Sequence, residues 1–186
     1  MIRHVPNMIT LGRLLTVPFL AIMLSNHDYH SAFWLFLVVG ISDGLDGYIA
    51  RRFNATTTTG ALLDPVADKM LVITCASILI WHGLLPVWVG IPLVFRDIVM
   101  LGIGLLDTKL KEARVSANFW GKSHAALAFL SIAFAIAQPA GIVTFIQFTS
   151  VLWTLLLVTL VVSSTVYFVE WQKVRQPARE KGHAPG

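Results

Sequence analysis

Apolar residues are gathered along the chain into six long runs separated by short polar segments. They extend approximately over Ile9–Leu24, Ser31–Ala50, Ala61–Trp81, Val87–Leu106, Ser123–Ala137 and Ile142–Val169. A helix crossing a bilayer needs about 20 mostly apolar residues. The fifth run is short for this and the sixth long. The pattern predicts an all-α integral membrane protein with six transmembrane helices. Residues 1–169 form the membrane domain, and residues 170–186 a polar cytoplasmic tail whose Pro177, Gly182 and Pro185 predict mobility. The first residues, with Pro6 and Arg13, suit a short interfacial helix ahead of the first span.

Charge placement orients the runs. The segments Ser25–His30, His82–Pro86 and Gln138–Gly141 hold no Lys or Arg, and all 14 basic residues lie elsewhere. Six spans with the basic loops on one side obey the positive-inside rule and put both termini in the cytoplasm. Only 13% of the 186 residues are charged, against about 25% in soluble domains. The net charge of +4 then reads as topology and attraction to anionic lipid rather than nucleic-acid binding. Ser25-Asn26-His27-Asp28 follows the first run, with no small-x-small cleavage site, so that run reads as an uncleaved helix. The single cysteine, Cys75, excludes an intrachain disulfide and reads as a small buried apolar residue. Trp81, Trp88, Trp120 and Trp171 fall near span ends as interfacial anchors, and His82 and His124 read as interfacial or packing residues.

Four of the ten acidic residues, Asp43, Asp46, Asp64 and Asp68, fall at the cytoplasmic ends of the second and third runs. Ionisable groups at membrane depth are costly and mark function. Four carboxylates together repel, and stay ionised only beside a cation. Asp43 and Asp46 are three apart, which puts them on one helical face; Gly60, Asp64 and Asp68, spaced by four, form another stripe. The short connection Arg52–Thr59 makes the two helices antiparallel neighbours. Hard oxygen ligands of this kind suit Mg²⁺ or Mn²⁺, and two ions would be a natural use of four. Gly47, Ala50 and Gly60 leave room on the acidic faces for a ligand to approach backbone, or for helices to pack closely. Arg51 is placed to bind a phosphate, while Arg52 reads as a topology signal.

The stretch Asp43-x-x-Asp46-Gly47-x-x-Ala50-Arg51, eight residues, then Gly60-x-x-x-Asp64-x-x-x-Asp68 resembles the signature of the CDP-alcohol phosphotransferases without departure. The resemblance implies a six-helix membrane enzyme, usually dimeric, with a polar cavity open to the cytoplasm. It implies that Asp43, Asp46, Asp64 and Asp68 ligate two divalent metals and that Asp68 is also the base toward the acceptor hydroxyl. Gly47, Ala50 and Gly60 would border the cytidine nucleotide, and Arg51 its phosphates. The implied reaction moves a phosphatidyl group from CDP-diacylglycerol to an alcohol and releases CMP, with the bacterial inner membrane as the expected location.

For the acceptor, Val5-Pro6-Asn7-Met8-Ile9-Thr10-Leu11-Gly12-Arg13 resembles two subfamilies, one using glycerol 3-phosphate and the other, of eukaryotic cardiolipin synthase type, using phosphatidylglycerol. Ser31-Ala32-Phe33, Gly40 with Tyr48, and Arg96-Asp97 look closer to the second. Phosphatidylglycerol phosphate synthases usually carry Arg-Glu at the last of these, with another Arg soon after; here the next basic residue is Lys109. Arg96, Arg114 and Lys122 are the expected acceptor-binding residues, with an Arg96–Asp97 ion pair as the plainer alternative for Arg96. A divalent-cation transporter is the rival from another class. It would need polar groups across the whole depth, whereas the external halves of the runs are apolar.

Overall fold

The computed structural model describes residues 5–52, 58–106, 119–144 and 147–175, with side chains over 12–42, 66–103, 119–144 and 148–173. Every expected apolar run is helical. The helices are α1 (Val5–Ser25), α2 (Tyr29–Arg52), α3 (Thr58–Trp81), α4 (Val87–Leu106), α5 (Phe119–Ala137) and α6 (Gln147–Arg175).

The turns follow from residue chemistry. His27 adopts φ 60°, ending α1, and the Asp28 carboxylate accepts the Ser31 N–H at 3.2 Å to open α2. Gly83, at φ 71°, closes α3, with the Leu84 N–H donating to the Leu79 carbonyl at 2.9 Å. Pro86 then starts α4: its carbonyl accepts from Val89 and Gly90, both at 2.9 Å, and it has no N–H to leave unpaired.

Three boundaries differ from the sequence expectation. α1 runs unbroken from Val5, so Pro6 and Arg13 belong to the first long helix rather than to a separate interfacial one. Pro6 falls in its first turn, where a proline fits without breaking a helix. The sixth helix begins at Gln147 rather than Ile142 because Gly141, at φ 72°, holds the chain in a turn. It then continues through Arg175, so the tail expected from residue 170 starts as helix. Water beyond the apolar stretch can solvate the polar groups of Glu170, Gln172 and Lys173 while the backbone stays helical.

α1 packs against α2 and α3, α5 against α2, α3 and α6, and α4 against α3 and α6. Leu20, Leu24, Phe36, Leu79, Leu93 and Ile136 are wholly buried between them, as is Cys75 to within 1%. The outer surface is also apolar: Phe19, Val38, Phe95, Leu130 and Val161 are all more than half exposed. Such a surface suits lipid and not water. Among the described residues, α5 and the segment Phe148–Lys173 of α6 are long and apolar enough to cross a membrane.

At the end of the bundle away from the aspartates, the 26–28 and 82–86 turns are clasped together. The Tyr29 hydroxyl bonds to Nδ1 of His27 at 2.6 Å and of His82 at 3.0 Å, donating to one and accepting from the other. The two imidazoles stack at 4.4 Å. Tyr29→Phe removes both bonds, each worth about 1 kcal/mol. Its expected effect is a lower unfolding temperature in detergent with turnover unchanged, read by thermal-shift and activity assays.

Candidate active site

Four helices, α1, α2, α5 and α3, form a ring in which each packs on the next. Among the described residues α2 and α3 do not pack directly on each other. The stretches of α2 and α3 on either side of Arg52–Thr59, where the expected pairing would fall, lie outside the residues whose side chains are described. Between the four lies a cavity of about 510 Å³, lined by Arg13 of α1, Gly40 of α2, Asp68 and Leu71 of α3, and Ala126 and Phe129 of α5.

Small residues give this cavity its shape. A Cβ at Gly40 would run into the Phe129 ring, which stacks on the buried Phe36 at 4.5 Å and has little freedom to yield. Gly40 therefore lets α5 lie directly on the α2 backbone. Asp43, three residues on, begins the acidic signature. Asp68 brings a half-buried carboxylate to the cavity from α3.

Arg13 is the lining residue that sequence reasoning missed. It is only 6% exposed, although its sequence position suggested an interfacial segment. The available signal was a guanidinium flanked on both sides by apolar residues, which at membrane depth calls for a functional partner.

A second polar group lies on the other side of α3. Lys69 Nζ donates to Asp97 Oδ1 at 2.6 Å, and Arg96 Nη1 donates to the same oxygen at 2.7 Å. Arg96 Nη2 reaches Ser163 Oγ of α6 at 3.1 Å. The Asp97 side chain is 2% exposed, so its charge depends on these cations. The ion pair expected as the plainer alternative for Arg96 is thus present, with Lys69 as an interhelical partner that the sequence did not reveal. One carboxylate for two cations leaves this group with an uncompensated positive charge among its described members. Arg96 Nε, buried, has no hydrogen-bond partner among the described residues.

The other expected site residues are distributed as follows. Asp43, Asp46, Gly47, Ala50 and Arg51 lie on α2, and Gly60 and Asp64 on α3, but their side chains fall outside the described residues. Arg114 lies outside the described residues altogether. Lys122 is exposed in the first turn of α5. Asp68 and Arg96 do not share a cavity: Arg96 faces a groove between α4 and α6. They are joined through Lys69 and Asp97. Buried His124 packs against α6, its Nδ1 3.3 Å from Thr159 Oγ1, as expected of a packing histidine.

An all-helical bundle with an apolar exterior and acidic residues at one end of two of its helices is the frame of a polytopic membrane enzyme acting on a charged headgroup. Comparison with known proteins makes this specific. The family model described as CDP-alcohol phosphatidyltransferase matches residues 3–173, and the chain belongs to this membrane-embedded family. It is 32% identical to the CDP-diacylglycerol--glycerol-3-phosphate 3-phosphatidyltransferase of Bacillus subtilis (strain 168), over 92% of this chain and 97% of that one. It is also 35% identical to the Cardiolipin synthase (CMP-forming) of Streptomyces coelicolor, over 64% of this chain and 58% of that one. The Probable cardiolipin synthase (CMP-forming) of Drosophila melanogaster is 37% identical over 56% of this chain and 33% of its own length. The protein is a phosphatidyltransferase of phospholipid biosynthesis.

The family generally uses divalent metals. The donors fit: Asp68 presents carboxylate oxygens to a cavity, and the helices that border it carry Asp43, Asp46 and Asp64. Among the described residues no group of three metal-ligating side chains occurs, because three of these four aspartates fall outside them.

Asp97→Asn tests the buried ion group. Removing the shared anion leaves Lys69 and Arg96 facing each other unpaired, and breaking a buried pair costs about 3–5 kcal/mol. A large drop in unfolding temperature and in the monodisperse fraction after purification is expected. Unchanged stability would refute the role.

Proposed function

We propose that the chain transfers the phosphatidyl group of CDP-diacylglycerol to the glycerol hydroxyl of phosphatidylglycerol, as a CMP-forming cardiolipin synthase of the bacterial inner membrane. All six helices span the bilayer, both termini lie in the cytoplasm, and the cavity opens there. The observation that carries the reading is the Asp68 carboxylate facing a four-helix cavity at the end of an unbroken family signature.

Asp43, Asp46, Asp64 and Asp68 would hold two Mg²⁺ or Mn²⁺ ions, whose positive charge would supply stabilisation of the pyrophosphate and of the departing CMP. Gly47, Ala50 and Gly60 would leave space beside backbone for the cytidine nucleotide, and Arg51 would hold its phosphates. Asp68 would take the proton of the acceptor hydroxyl. The acceptor oxygen then attacks the phosphatidyl phosphorus, the bond from that phosphorus to the CMP oxygen breaks, and a new phosphodiester remains. Arg96, Arg114 and Lys122 would recognise the acceptor's phosphate. A homodimer follows from the family resemblance alone.

Glycerol 3-phosphate is the second reading. It is favoured by the Bacillus relative, whose printed name carries that acceptor and whose match extends over nearly all of both chains.

Purified protein supplied in parallel with phosphatidylglycerol, glycerol 3-phosphate, inositol phosphate and serine is expected to release CMP with phosphatidylglycerol. The lipid product, identified by mass, should be cardiolipin. CMP release with glycerol 3-phosphate alone would replace this acceptor by the second reading, and cation flux in liposomes without CMP release would indicate the transporter.

Asp68→Asn keeps the size of the side chain and removes its basicity and charge. At least a thousandfold loss of turnover is expected, with the unfolding temperature preserved. Chelation should abolish activity in the parent enzyme, and Mg²⁺ or Mn²⁺ should restore it.

A further inference from the structure

We propose that Arg13 is a catalytic residue: its guanidinium holds the non-bridging oxygens of the phosphatidyl phosphate while that group is transferred. The inference rests on the reaction read above and assigns, within it, the cation that meets the transferred phosphorus.

Arg13 stands on α1, outside the signature that runs from Asp43 to Asp68. It is 6% exposed, so its charge is held away from water. An arginine keeps its proton in a protein, and a charge at membrane depth is costly. Arg13 lines the cavity of about 510 Å³ that Asp68 enters from α3. Among the described residues that line this cavity, Arg13 and Asp68 are the two that carry charge; the rest are aliphatic, aromatic or glycine. A guanidinium has five N–H donors and one carboxylate engages two of them, so Arg13 can hold a carboxylate and a phosphate together.

The chemistry puts the phosphorus in the same space. Asp68 takes the proton of the acceptor hydroxyl, so the acceptor oxygen lies about 3 Å from its carboxylate. The phosphorus under attack lies about 3–3.5 Å beyond that oxygen. Both positions fall within the cavity whose other charged wall is Arg13. An electron pair of the acceptor oxygen forms the new bond to phosphorus. The bond from phosphorus to the CMP oxygen breaks with its pair on CMP, and the hydroxyl proton goes to Asp68. Charge shifts among the phosphoryl oxygens during this exchange, and a fixed guanidinium fork donates to two of them. Exclusion of water strengthens that attraction. Arg13 neither gains nor loses a proton.

Arg51 serves a different part of the donor. Gly40 borders the cavity, and Arg51 lies 11 residues further along α2, roughly 16 Å at the helical rise. The two arginines divide CDP-diacylglycerol at the bond that breaks, Arg51 on the CMP side and Arg13 on the phosphatidyl side.

The test uses CMP and CDP, since CDP carries the phosphorus that is transferred and CMP lacks it. Isothermal titration calorimetry of the purified full chain with Mg²⁺ measures both. The parent should bind CDP more tightly than CMP. Arg13→Gln should weaken CDP at least tenfold, leave CMP within twofold, and lower kcat for CMP release from CDP-diacylglycerol at least a hundredfold. Arg13→Lys keeps the charge without the fork and should fall between the two. Arg51→Gln should instead weaken CMP and CDP alike. An unchanged difference between CDP and CMP in the Arg13 variants would overturn the inference. So would equal weakening of both ligands, a parent that does not distinguish them, or misfolding of both Arg13 variants, which would assign the guanidinium to the architecture. A parent that releases no CMP with any acceptor overturns the reaction and the inference together, whereas an active parent with unaltered variants overturns the inference alone.

Discussion

Asp97 is nearly inaccessible to solvent, and within about 3 Å of one of its oxygens lie two cations from two helices. Inside a bundle whose surroundings are hydrocarbon, none of these charges has water to fall back on, so each fixes the position of the others. Lys69 ties α3 to α4, and the Arg96 contact with Ser163 ties α4 to α6. Helices in a membrane gain little from hydrophobic association with one another, since lipid is as apolar as leucine. A shared carboxylate therefore counts for more in setting the registers of α3, α4 and α6 than it would in a soluble core. Small residues do the rest, as where Gly40 lets Phe129 lie on the backbone of α2.

Fixing Lys69 fixes Asp68. A helix that commits one residue to a salt bridge on one side has no freedom left in how it presents the next. Asp68 is thereby turned into the four-helix cavity, and the chemistry of the site and the integrity of the bundle are coupled through a single peptide bond. α2 and α3 carry the family signature, while Arg96 lies on α4 against Ser163 of α6.

Much of this was legible in the sequence, for identifiable reasons. Helical spans follow from runs of apolar residues, and the family follows from eight residues at fixed spacing across Asp43–Asp68. Boundaries were less legible where backbone conformation decides them, as at Gly141, or where polar helix continues into water, as at Glu170–Arg175. Pairings distant in the chain left no trace. Lys69 and Asp97 are 28 residues apart, on different helices, and no local periodicity connects them. Arg13 was visible as an anomaly in an apolar stretch, but its burial depends on how α1 packs on two other helices. Direct pairing of α2 with α3 was a reasonable inference from a short loop. The helix ends on which it rests lie outside the residues whose side chains are described, and further along the two helices a cavity lies between them.

The balance of charge around Arg96 bears on why this chain would favour a lipid acceptor. A phosphate monoester such as that of glycerol 3-phosphate carries about −1.5 to −2 at neutral pH, and holding it calls for two strong cations. The resemblance to phosphatidylglycerol phosphate synthases implies a second arginine soon after the first. Here the residues after Asp97 are apolar or glycine until Asp107, and Val99 and Ile103 line a hydrophobic wall instead. Among the described members of the group, Lys69 and Arg96 share one aspartate, which leaves a net charge of one. That matches the single charge of a phosphodiester. One unmatched charge beside an apolar stretch of α4 suits a phosphodiester better than a monoester, and this is the physical support for the proposed acceptor.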